Sequence, residues 1–132
     1  MANELTWQIQ SLLRNDLLSD SWASGSLTAG QSNQRLIRNV QEIGLTHEPL
    51  NLGDVVAPGV SIFSNLDDAN FVEIGIDVGG VFYPFLKVLP KDVVGGATLN
   101  SGEQWMGRLA TSAPYAKADI APVKLFYIIY DT

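Results

Sequence analysis

The chain has 132 residues, 46% of them hydrophobic and 17% charged, with 8 basic against 14 acidic residues and no cysteine. That length fits one domain with one core, and that composition lies far from the disordered regime. Thiol catalysis, Cys-ligated zinc and iron–sulfur clusters are excluded, while the redox compartment stays open. A net charge of −6, with no two Lys or Arg residues adjacent, opposes phosphate binding, so no nucleic-acid partner is expected. Met1-Ala2-Asn3-Glu4 lacks the basic-then-apolar pattern of a signal peptide, and no apolar stretch approaches the roughly 18–20 residues needed to span a bilayer. The chain is expected to be made in the cytoplasm and to have no membrane partner.

In chain order, Leu5, Ile9, Leu12 and Leu13 fit a helical stripe, whereas Trp7, Ile9 and Leu13 fit a strand face. Residues 34–44 are equally ambiguous, because Leu36, Ile37, Val40 and Gly44 suit a short helix with a glycine stop. Periodicity leaves both segments open, and the β-rich remainder favours strands. Ser19 to Asn33, dense in Ser and Gly, reads as an exposed strand plus loop. Val60–Leu66 places Val60, Ile62 and Leu66 on one face. Phe71–Val78 alternates strictly, with Val72, Ile74, Ile76 and Val78 opposite Glu73, Gly75 and Asp77, which is the pattern of a half-buried strand. The turn chemistry of Asp67-Asp68-Ala69-Asn70 predicts a β-hairpin between these two strands.

Gly79-Gly80 reverses the chain into Val81–Leu89, and Pro84, lacking an amide hydrogen, marks that strand as an edge or as bulged. Gly95-Gly96 and Ser101-Gly102 open a loop around Trp105, followed by a strand over Met106–Thr111. Val123–Tyr130 is the last strand. Turn residues recur roughly every eight to twelve positions, the rhythm of sandwiches and barrels. With no internal repeat and no linker, the expected fold class is all-β, an antiparallel β-sandwich formed by residues 1–132 as a single domain.

Candidate chemistry is sparse. His47 is the only histidine, lies in the loop Gly44–Pro49, and has no Gly-x-Ser-x-Gly elbow to accompany it. Asp67, Asp68, Glu73 and Asp77 form an acidic cluster without the spacing of a calcium loop or of a glycosidase pair. They read as turn chemistry and as a solvated outer face. No catalytic, cofactor-binding or metal-binding residue is expected, and no cofactor.

The stronger signal is surplus apolar surface. In the last strand Val123, Leu125, Tyr127 and Ile129 occupy one face, and Phe126, Ile128 and Tyr130 much of the other. The Phe82–Leu89 strand is also two-sided, with Phe82, Leu86 and Val88 opposing Tyr83, Phe85 and Leu89. Antiparallel strands in a monomer usually leave one face polar, so such strands imply cover by loops or by another subunit. Phe82, Tyr83, Phe85, Leu89, Phe126, Ile128, Tyr130 and Trp105 are therefore the candidate interface residues. The tryptophans also suit sugar stacking, with Trp22 beside Ser21 and Ser24, and Trp105 beside Glu103 and Gln104.

Three blocks carry a resemblance: Asn65–Gly75, then Phe82–Val88, then Ala113–Ala118 with Ala121–Leu125. In this order they resemble a group of small tailed-bacteriophage virion proteins, whose members carry a similar Asn-Leu-Asp segment leading into Tyr-Val-Glu-Ile-Gly, where this chain has Phe71 in the Tyr position. The resemblance covers roughly residues 55–132. This chain departs from it with an insertion-like loop at 95–105. It implies a jelly-roll-like β-sandwich present in many copies in the virion, with no catalytic residues. It further implies a capsid decoration (cement) protein that forms a homo-oligomer, such as a trimer, and binds the major capsid protein. A tail, neck or fibre-associated module for host recognition is the alternative.

Overall fold

The computed structural model describes residues 4–31, 33–94, 96–100 and 102–131. They divide into two units, Met1–Ser32 and Asn33–Thr132. In the first, β1 (Glu4–Trp7) pairs antiparallel with β4 (Leu27–Gly30), and β2 (Gln10–Arg14) with β3 (Ser19–Ala23). These ladders are successive stretches of one two-stranded ribbon. Ser24 N donates to Ile9 O at 2.8 Å and Ile9 N to the Ser24 hydroxyl at 3.0 Å, bridging the break between them. The ambiguous segment 5–13 is thus extended.

The second unit holds β5 (Leu36–Ile43), β6 (Glu48–Pro49), β7 (Pro58–Asn65), β8 (Val72–Val78), β9 (Val81–Val88), β10 (Asp92–Val94), β11 (Ala97–Asn100), β12 (Gln104–Arg108), β13 (Tyr115–Ala118) and β14 (Val123–Asp131). Two four-stranded antiparallel sheets form, ordered β12-β7-β14-β5 and β6-β13-β8-β9, and β10 pairs with β11 as a separate hairpin. Their inner faces meet in one core: Ile43, Phe63, Val123, Leu125, Tyr127 and Ile129 come from the first sheet, and Val72, Ile74, Val88, Ala116 and Ala118 from the second. The protein is an all-β antiparallel sandwich, and both of its four-stranded sheets lie within the second unit rather than across residues 1–132.

The hairpin expected between Val60–Leu66 and Phe71–Val78 is not formed. β7 and β8 belong to opposite sheets, so Asp67–Asn70 is a corner that carries the chain from one layer to the other. Asn65, 2% exposed, fastens that corner. Its amide nitrogen donates to Asn70 O and to Val88 O, both at 2.9 Å, while Asp67 N donates to its Oδ1 at 2.8 Å. The Asp67 carboxylate then accepts the amides of Ala69 and Asn70. Replacing Asn65 by Leu keeps the branched shape but takes the partner from three backbone groups, the buried Val88 O and the part-buried Asn70 O and Asp67 N. We expect a loss of about 2–3 kcal/mol, read as a fall in the thermal midpoint by circular dichroism.

β9 is an edge strand, as Pro84 requires, and it is also bulged. Between Ile74 and Gly75 the register slips by one, so Leu86 pairs with Ile74 but Tyr83 with Ile76. The sequence parity is therefore corrected: Val88, Leu86, Tyr83 and Val81 share one side, and Lys87, Pro84 and Phe82 the other. The turn at Gly79-Gly80 is as expected, with φ of 63° and 86° that suit a two-residue hairpin loop. The region around Trp105 is not an open loop. β10 and β11 form a hairpin there, and Trp105 lies within β12, which starts and ends earlier than the expected 106–111 strand.

At the far end of β14, the buried Asp131 carboxylate accepts the amides of Ala57 (2.9 Å) and Val56 (3.4 Å) and pairs with Arg35 Nε at 3.1 Å. Burial pushes its pKa up, but those two amides and the guanidinium outweigh burial and hold it below the ordinary value. A carboxyl lowered in the folded state stabilises the fold at higher pH, and that contribution is lost as pH falls through the folded value. The thermal midpoint should therefore be flat from neutral pH to about pH 5 and drop below about pH 4. Asp131→Asn should lower the neutral-pH midpoint and make the acid loss shallower.

Candidate protein–protein interface

β14 is a central strand, paired along its length with β5 on one side and β7 on the other. Its inward residues close the core, and Phe126, Ile128 and Tyr130 face outward. Ile128 is 8% exposed, flanked in register by Ile62 and Arg38, while Phe126 and Tyr130 are half-buried. Across β5 the row continues through Val40 and Leu36, which lie opposite Phe126 and Tyr130 and are 51% and 54% exposed. Met106 extends it on the other side, opposite Ile62. The outer face of this sheet is thus an apolar stripe with open ends.

On β9, Tyr83, Phe85 and the adjoining Leu89 are 53%, 50% and 50% exposed. Val78 and Val81, which pair beside the Gly79-Gly80 turn, are exposed as well. Phe82 is different: it is half-buried and stacks on His47, with ring centroids 5.5 Å apart and planes 13° apart. Trp105 points inward and packs against the core, 5.5 Å from the Phe63 ring. Of the expected interface residues, Tyr83, Phe85 and Leu89 lie together along one edge, and Phe126, Ile128 and Tyr130 together on one face.

His47, Asp67, Asp68 and Asp77 are occupied by structural contacts. His47 Nε2 lies 2.6 Å from Asp77 Oδ2, and this contact, with the Gly80 amide, holds the Asp77 carboxyl below its ordinary value. Tyr115 lies against the same imidazole at 5.8 Å. The acidic residues do not converge. Asp67 caps the corner, Asp68 pairs with Lys91 at 3.1 Å, and Glu73 lies between Lys87 and Lys117 in register. Lys87 itself sits 4.1 Å from the centre of the Phe71 ring. Among the described residues, no group of three or more His, Asp or Glu is placed to hold a metal.

Sequence reasoning missed several exposed apolar residues. Leu36 and Val40 sit in the segment whose periodicity was shared between helix and strand, and reading it as a strand puts them beside Arg38 on one face. Leu12, Leu17 and Leu18 are exposed on the first-unit ribbon, with Leu17 97% exposed in its turn, while Trp22, named from the sequence as a stacking candidate, is 54% exposed there. Their signal was a Leu-Leu pair between two polar turn formers, Asn15-Asp16 and Ser19-Asp20. No family model, curated protein or solved structure matches this chain.

Proposed function

We propose that this chain is a structural protein of a tailed-bacteriophage virion, a jelly-roll decoration protein that stabilises the head by contacts with itself and with the major capsid protein. The observation that carries the reading is the strand pairing. Counting β5, β6, β7, β8, β9, β12, β13 and β14 as first to eighth, the first pairs with the eighth, the second with the seventh, the third with the sixth and the fourth with the fifth. A long antiparallel ribbon rolled into two sheets of four has that order, and jelly rolls of this kind build viral capsid and lectin domains. The fold by itself does not assign a function. The apolar stripe on the β12-β7-β14-β5 sheet, exposed at Leu36 and Val40 and half-buried at Phe126 and Tyr130, and the apolar β9 edge add surface suited to burial in an assembly.

In mechanism, burial of these faces contributes about 25 cal/mol per Å² of apolar area, and repetition on a symmetric lattice adds avidity. The proposal is tested by mass spectrometry of purified particles of the phage that encodes the chain. Many copies per particle support it. Absence from intact particles, with presence in the infected-cell lysate, overturns it.

A further inference from the structure

The ribbon of residues 4–31 has no third strand among the described residues. Two-stranded ribbons are marginal in water unless another element covers them. Its tip leaves Leu12, Leu17, Leu18 and Trp22 exposed. It carries Asp16 and Asp20 close to those leucines, and Arg14 as its one cation between residues 4 and 31. The tip is therefore an apolar knob with an acidic rim, and it needs a surface of the opposite character.

The outer face of the β12-β7-β14-β5 sheet has that character. By register, Arg38, Lys124 and Arg108 surround the Phe126–Tyr130 stripe, and Glu42 is the one acidic residue on the strands of that face. A chain of net charge −6 with 8 basic residues thus places three of them around one apolar patch. None of the three, and neither Asp16 nor Asp20, enters an ion pair among the described residues.

We infer that the ribbon tip of one copy docks on the outer face of this sheet in a second copy, with its leucines on the Phe126–Tyr130 stripe and Asp16 and Asp20 among Arg38, Lys124 and Arg108. The contact is heterologous, knob to face, so it propagates into a closed ring or an open chain rather than stopping at a two-fold pair. This deepens the assembly reading by naming the surfaces through which copies join. It does not depend on the particle being a phage head, because it is a property of the isolated chain.

Sedimentation of the purified full-length chain tests it with two charge-reversed variants, Asp16→Lys/Asp20→Lys on the ribbon and Arg38→Glu/Lys124→Glu on the face. The wild type should associate with rising concentration, and each variant should associate about tenfold or more weakly. Mixed in equal amounts, the two should associate again into assemblies in which the variants alternate, because the lysine ribbon meets the glutamate face and the aspartate ribbon meets the unchanged basic face. Unchanged thermal midpoints show that both variants fold. A monomeric wild type, variants that associate like the wild type, or a mixture that stays monomeric would each overturn the inference. If the ribbon instead grips another virion protein, the wild type stays monomeric while the chain is still found in particles, so the two proposals fail separately.

Discussion

Replacing Phe63 by Ala should cost about 3–5 kcal/mol, a large share of the roughly 5–15 kcal/mol that holds a typical domain folded. Phe63 is fully buried on β7, the strand that holds both β14 and β12. Its ring lies 5.5 Å from that of Trp105 and 6.3 Å from that of Tyr127, so truncation removes the shared neighbour of two large side chains. The cavity cannot close cheaply. Trp105 is held by the β12 ladder, and the Tyr127 hydroxyl lies 2.7 Å from Asn51 O and accepts from Asn39 Nδ2 at 3.1 Å. Urea unfolding should show a lower midpoint at an unchanged slope. A loss below about 1 kcal/mol would mean that the two sheets do not meet at Phe63.

Gly75→Ala is expected to be nearly as damaging, for a backbone reason. The bulge that re-registers β9 brings its main chain onto Gly75. A Cβ there would lie 2.2 Å from Tyr83 O and 2.7 Å from Pro84 Cα. Both are backbone atoms and cannot rotate away, so the strands must separate at the bulge, at about 3 kcal/mol. Gly44→Ala is the control, since its added Cβ meets only the end of the Glu48 side chain at 3.5 Å. Thermal midpoints of the two variants should differ by ten degrees or so. Equal midpoints would remove the close approach at the bulge from the account.

The same bulge marks a limit of what the sequence carried. Pro84 announced an edge or a bulge and the strand is both, yet a single inserted residue reverses which side chains face inward. Nothing local says where the slip falls. The alternation of Val72, Ile74, Ile76 and Val78 was legible because one face meets the core and the other meets solvent or cations. The Asp67–Asn70 segment was legible as a turn, but not as a corner, because its own hydrogen bonds suit either use. What decides is Asn65 reaching Val88, 23 positions away. The two-sided character of β14 did identify the outward stripe, since a central strand with aromatic residues on both faces has no polar side to offer water. Trp105 was misread as exposed because its loop-like flanks conceal the pairing with Phe63 across β7 and β12. The first-unit ribbon lacked clean alternation, as expected of a two-stranded element with no core of its own to pattern against.

The central claim is that the apolar stripe of Phe126, Ile128 and Tyr130 and the apolar β9 edge exist to be covered in an assembled particle. A cryo-EM reconstruction of the proposed virion tests it most directly. The account predicts many symmetry-related copies of the sandwich on the head, with both surfaces against protein. Copies seated with both surfaces facing solvent, or a head without density for the sandwich, would contradict it.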